Sequence, residues 1–203
     1  DASIHEVIKT LLEAFILVAL VVFIFLQDWR ATLVPIIAVP VSLVGTFSFM
    51  LAFGFSINLL TLFSLVLAIG IVVDDAIVVV EAVHAKMEEK NMSVLAATQE
   101  AMHEISGAIL AITLVMGAVF VPVAFLSGPI GVFFRQFSVT MAISIALSGL
   151  TALTLTPALC VLLLKKPEHN QKTWLGKFFH AFNQRYDRIA TKYLIWVGAL
   201  ISR

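Results

Sequence analysis

Charge is what this sequence has least of. Lysine, arginine, aspartate and glutamate together make up 13% of its 203 residues, about half the usual share in a soluble domain. The acidic and basic residues balance at a formal net charge of zero, which by itself says nothing about nucleic acid; no nucleic-acid partner is expected of a chain of the membrane class. Cysteine is nearly absent: Cys160 is the only one, which excludes an internal disulfide. Its setting in TPALCVLLL reads as that of a small packing residue. An initiator methionine is missing, and DASIHEVIKT has neither the basic start nor the small-residue cleavage site of a signal peptide. The closing run KYLIWVGALISR is about half the length a bilayer needs. Both ends read as cut, and the expectation is a piece of a longer protein.

What fills the chain instead is apolar. Hydrophobic residues are 61% of the total and mean hydropathy is +1.04, values that define a membrane protein. A spanning helix needs about 20 mostly apolar residues. Five segments qualify, at about 7–26, 31–53, 57–80, 105–126 and 137–164, and a sixth begins at Tyr193. The expected fold is all-α: a polytopic transmembrane bundle over 1–166, a connection over 167–192, and a truncated span over 193–203. Within the connection, Trp174, Leu175, Phe178, Phe179, Phe182, Tyr186 and Ile189 fall on one side of a helical wheel. Lys177, His180, Gln184, Arg185 and Arg188 fall mostly on the other. That pattern predicts an amphipathic helix over Thr173–Ala190 lying in the membrane interface.

Basic residues set the orientation. The connections after the first, third and fifth spans hold Arg30, Lys86, Lys90, Lys165, Lys166, Lys172, Lys177, Arg185, Arg188 and Lys192, ten of the thirteen lysines and arginines. That side is expected to be cytoplasmic, which places the N-terminus outside. The opposite connections, GFSIN and LSGPIGVFFRQ, are too short for a folded domain. The stretch from Ala82 to Glu104 is polar and reads as helix.

Against this background AIGIVVDDAIVVVE stands out. Asp74 and Asp75 lie side by side in the third span, with no Lys, Arg or His between Ser56 and Glu81. A central Asp costs about 2.5–3.5 kcal/mol on insertion scales. Three readings compete. A packing device would give each carboxylate a hydroxyl or a buried cation. An intramembrane aspartyl protease would need two carboxylates facing each other across helices; neighbours on one helix diverge by about 100°, and no other span centre offers an Asp. A proton relay fits best, because desolvation and like-charge proximity both favour the protonated form. Such a relay needs a cation at the same depth. The spans hold none, so it has to come from elsewhere. No enzymatic chemistry is expected.

Other residues carry weaker signals. Ser64, Thr113, Ser144 and Ser148 can hydrogen-bond the aspartates across helices. Glu81 reads as a carboxylate at the inner end of its helix, opposed to the dipole and in need of a basic neighbour. His5, His84, His103, His169 and His180 fall outside the membrane cores, with no metal-ligand spacing. Gly45 and Gly70 suggest close helix approach. Pro35, Pro40, Pro122 and Pro157 sit in or near spans, where neighbouring helices make kinks tolerable.

LVLAIGIVVDDAIVVVEAV resembles the fourth transmembrane helix of the resistance-nodulation-division (RND) efflux transporters. SIHEVIKTLLEA and FLQDWRATLVPIIAVPVSLVGTF are similar to the family's second and third helices. FVPVAFLSGPIGVFFRQFSVT and ALTLTPALC are similar to its fifth and sixth. The match runs from about Ser3 to Lys166, and the adjacent Asp pair points to the hydrophobe/amphiphile branch. One departure is Ala82, where the family usually has Asn.

The resemblance implies a pump of twelve helices in two similar halves, of which this chain holds helices two to six and the start of seven. It implies that Asp74 and Asp75 are proton-translocating aspartates, facing basic residues of the other half, and that Glu13 occupies an acidic position with a secondary coupling role. It further implies drug/proton antiport in the bacterial inner membrane, driven by the proton-motive force without a cofactor. The implied partners are membrane lipid, hydrophobic or amphiphilic drugs, and a homotrimer with a periplasmic adaptor and an outer-membrane channel. The alternatives are an RND lipid- or protein-translocation relative and a non-transporting helix-packing module.

Overall fold

The computed structural model describes residues 2–55, 58–165, 188–193 and 196–197. Up to residue 165 the described helices follow in order: α1 (Ala2–Leu26), α2 (Trp29–Ala52), α3 (Leu59–Glu89), α4 (Val94–Val123), α5 (Gly128–Leu153) and α6 (Leu155–Leu163). No strand occurs among the described residues. Among the described residues, four stretches are long and apolar enough to cross a membrane: Trp29–Ala52, Leu59–Glu89, Val94–Val123 and Phe133–Leu153. α1 adds a shorter apolar stretch, Leu12–Leu26. The chain is an all-α transmembrane bundle. A second unit begins at Pro167; within it, residues 188–193 and 196–197 are helical. Most of the interfacial helix expected over Thr173–Ala190, and most of the span expected from Tyr193, lie outside the described residues.

Short polar side chains cap the starts of α2, α3 and α4. Asp28 caps α2: its Oδ1 accepts from the Arg30 backbone N at 2.9 Å. The turn into it uses Gln27 at φ 54°. Asn58 caps α3 in a reciprocal box with Thr61. Asn58 Oδ1 accepts from the Thr61 N at 3.0 Å, and Thr61 Oγ1 accepts from the Asn58 N at 2.9 Å. The Asn58 amide also donates to Gln136 on α5, tying the start of α3 to that helix.

α3 is the central helix and touches each of the others. Thr61, Ser64, Leu65, Ala68, Val72, Asp75, Val79 and Met87 are among the buried positions that recur along one broad face of it. Outer helices instead expose apolar side chains, such as Ile16 and Phe25 on α1 and Leu114 and Val119 on α4, as lipid or further helices require.

At 31 residues, α3 is about 46 Å long, well beyond the roughly 30 Å hydrocarbon core. Its polar end therefore stands outside the lipid. The Ala82–Glu104 connection is consequently no separate helix. It is the end of α3, a turn at residues 90–93 with Asn91 at φ 49°, and the start of α4. Across that turn Lys86 Nζ lies 2.6 Å from Glu104 and 3.7 Å from Glu100, and Lys90 pairs with Glu100.

The fifth expected span, 137–164, is interrupted. α5 ends at Leu153 and α6 starts at Leu155. Pro157 explains the break: it has no N–H to give the Leu153 carbonyl, and its ring collides with that carbonyl. Thr154, at φ −119°, takes up the bend.

Gly45 does permit close approach, since a Cβ there would meet Leu147 at 3.0 Å. Gly70 does not, since a Cβ there meets nothing within 4 Å. The closer contact is Gly149, where an added Cβ would lie 2.4 Å from Thr113 Oγ1 on α4.

Candidate functional site

The two aspartates part company on α3. Asp75 falls within the buried stripe and is only 8% exposed, whereas Asp74, about 100° round the helix, is exposed. Asp75 Oδ2 accepts a hydrogen bond from the Ser148 hydroxyl of α5 at 2.5 Å. An ionised or protonated carboxyl so far from water needs a partner of this kind. Asp74 instead lines a groove of about 250 Å³ between α1 and α3, with Leu17, Val18, Val21, Val22, Gly70, Val73 and Ile77. No lysine, arginine or histidine nitrogen lies within 4 Å of either carboxylate among the described residues.

Of the four hydroxyls singled out for the aspartates, Ser148 alone reaches one. Ser64 donates to the Thr61 carbonyl and Thr113 to the Ile109 carbonyl. Ser144 donates to the Thr140 carbonyl and meets Thr46 Oγ1 of α2 at 3.2 Å. A second α2–α5 pair, Ser42 with Thr151 at 3.0 Å, lies on the other side of Ser148 along α5. Asp75 thus sits beside a seam of buried hydroxyls. The sequence signal for it is the run Thr140, Ser144, Ser148 at four-residue spacing on α5, which places all three on one face. Ser42, Thr46 and Thr151 were not singled out, because single hydroxyls in apolar helices carry no pattern of their own.

The remaining candidates lie apart. Glu13 is exposed on α1, 3.8 Å from Lys9, with no contact to the aspartates among the described residues. Glu81 is exposed and has no cation within 4 Å among the described residues. It does not oppose a helix end, since α3 runs on to Glu89. No cluster of metal-ligating side chains occurs among the described residues.

A membrane-crossing bundle whose central helix carries one buried and one open carboxylate defines an integral membrane protein with ionisable groups inside its fold. The chain belongs to the AcrB/AcrD/AcrF family of RND transporters, whose model it matches over residues 1–203. It is 52% identical over 202 residues to the multidrug export protein AcrF of Escherichia coli (strain K12), covering 98% of this chain and 19% of that protein. It is 48% identical over 202 residues to the solvent-resistant pump membrane transporter SrpB of Pseudomonas putida, covering 100% and 19%. It is also 48% identical over 194 residues to the multidrug resistance protein MdtF of Escherichia coli (strain K12), covering 95% and 18%. The chain spans about a fifth of the length of these curated relatives.

Proposed function

We propose that this chain is the proton-relaying membrane part of a drug/proton antiporter that exports hydrophobic or amphiphilic compounds. It acts as a transporter rather than an enzyme, and draws on the proton-motive force with no cofactor. One observation carries the reading. Two adjacent carboxylates are given different environments, one anchored to Ser148 in the bundle core and the other facing an open apolar groove. Asp74 is then placed to meet a cation brought by helices of the remaining half, and Asp75 to sense the loss of that pairing through α3. Protonation of the pair releases the cation and lets α3 shift against its neighbours. Glu13 has a secondary coupling role on α1.

The names of the relatives, multidrug export protein and solvent-resistant pump, support the substrate class. The excess of Lys and Arg on one side supports an inner-membrane topology with the N-terminus periplasmic. Membership of the family supports a homotrimer that works with a periplasmic adaptor and an outer-membrane channel.

The test is Asp74→Asn and Asp75→Asn in the full-length protein, reconstituted into liposomes with an imposed pH gradient. Each variant should insert normally, while drug-stimulated proton flux falls to the level of empty liposomes. Undiminished flux in both single variants overturns the relay.

A further inference from the structure

At the polar end of α3, Nε2 of His84 is buried and has no hydrogen-bond partner among the described residues. It points toward Asp28 Oδ2 at 3.9 Å, just beyond hydrogen-bonding reach. The carboxylate is already half used, since its Oδ1 caps α2 through the Arg30 N–H. Its second oxygen is left facing the imidazole. Both side chains are largely sheltered, at 18% and 27% exposure, so water screens this pair less than an open surface pair.

We propose that His84 and Asp28 form a proton-binding site of this chain, a clasp between α3 and the start of α2 that closes when the imidazole takes up a second proton. A neutral imidazole has one N–H to offer, and a doubly protonated one donates from both nitrogens. Protonation turns a gap of 3.9 Å into a charge-assisted hydrogen bond, which settles at about 2.7–2.9 Å. Closure therefore shortens the His84–Asp28 separation by about 1 Å. Histidine is the side chain whose ordinary titration falls near physiological pH.

The surrounding charges leave this pairing to itself. On α3, Lys86 and Lys90 are engaged by Glu100 and Glu104 of α4, Glu81 is on an exposed face, and Glu88 and Glu89 are exposed. On α2, the Arg30 guanidinium lies 5.1 Å from the Trp29 ring centroid. On α4, His103 is exposed. Among the described residues α1 and α5 bring no charged side chain to this end, and the one that follows α6 is the exposed Lys165. Among the described residues Asp28 is the sole carboxylate within 4 Å of an imidazole nitrogen. The site needs no second half of a pump, so it stands or falls independently of the aspartate relay.

The experiment is ring-¹⁵N NMR of histidine-labelled full-length protein in lipid nanodiscs, with the His84 signals assigned by their loss in His84→Gln. At pH 5.5 the His84 ring should be doubly protonated, with Nε2–H in a strong hydrogen bond. At pH 8 that signature should be gone. Asp28→Asn keeps the α2 cap, because Asn and Asp cap equally well, and should remove the strong hydrogen bond at pH 5.5. An Nε2 signal that is unchanged between the two pH values, or unchanged by Asp28→Asn, overturns the proposal. His84→Lys supplies a permanent cation. Protection factors of the amides at the start of α2, taken relative to the intrinsic exchange rate at each pH, should then lose the pH dependence seen in the parent, and retention of that dependence counts equally against the clasp.

Discussion

The hydroxyl of Ser148 and the carboxylate of Asp75, 73 positions apart in the chain, meet at 2.5 Å across the α3–α5 contact. Removing one partner leaves the other unsatisfied in the bundle interior, which costs about 1–3 kcal/mol, and more where a charge is involved. Ser148→Ala should therefore lower stability by an amount in that range, measured by unfolding in mixed micelles. The infrared carboxyl band of Asp75 should move with it. Ser148→Thr retains the hydroxyl and should leave the band in place.

The α4–α5 contact depends on the missing side chain of Gly149. A methyl group there would lie 2.4 Å from Thr113 Oγ1, which is itself held by the Ile109 carbonyl. Gly149→Ala should cost about 1–3 kcal/mol through overpacking. Thr113→Ala should recover part of that loss in the double variant, because the two sites share the contact. A double variant no better than Gly149→Ala would place the strain elsewhere.

Asn58 does two jobs, capping α3 and donating to Gln136 of α5. Asn58→Asp preserves the cap and removes the donor, whereas Asn58→Ala removes both. Thermal stability should rank Asn above Asp above Ala. The Ala variant should lose about 0.5–2 kcal/mol from the cap alone. Equal stability of the Asp and Ala variants would assign the whole effect to the α3–α5 link.

The ion pairs beyond the lipid predict a pH profile. The hydrogen bond from Lys90, joined by the charges of Lys90 and Lys86, holds Glu100 below the ordinary carboxylate value. Its contribution is present above that ordinary value and fades as pH falls through the lowered one. The hydrogen bond to Glu104, with the charges of Glu104, Glu100 and Glu89, holds Lys86 above the ordinary lysine value. Its contribution is present below that ordinary value and fades as pH rises through the raised one. Melting temperature should be flat between those limits with respect to these groups and fall at both extremes. The effect should be small and should shrink in high salt, as exposed pairs do. Lys86→Gln should remove the alkaline part of it.

Apolar run length was enough to read an all-α transmembrane fold, because a bilayer imposes one minimum length on any helix that crosses it. It could not mark where helices end outside the lipid. α3 and α4 run on into polar sequence because Lys86, Lys90, Glu100 and Glu104 join them beyond the lipid. The break at Thr154 was foreshadowed only by Pro157, three residues on. The Asp pair was conspicuous because charge is so scarce. Which of the two turns inward depends on the packing of α5 against α3, and adjacent positions cannot reveal it. The His84–Asp28 pairing was illegible for a related reason: the residues are far apart in sequence, and neither belongs to a motif.

The seam between α2 and α5 has a mechanical consequence. Thr46, Ser144 and Thr151 each donate to a carbonyl of their own helix, those of Ser42, Thr140 and Ser148. If the two helices slid apart, these three donors would keep their bonds, and only Ser42, which donates to Thr151, would lose the acceptor for its hydroxyl proton. A contact built this way behaves like a bearing surface. It fixes the register of two helices at rest, yet lets one travel past the other for the loss of a single cross-helix hydrogen bond.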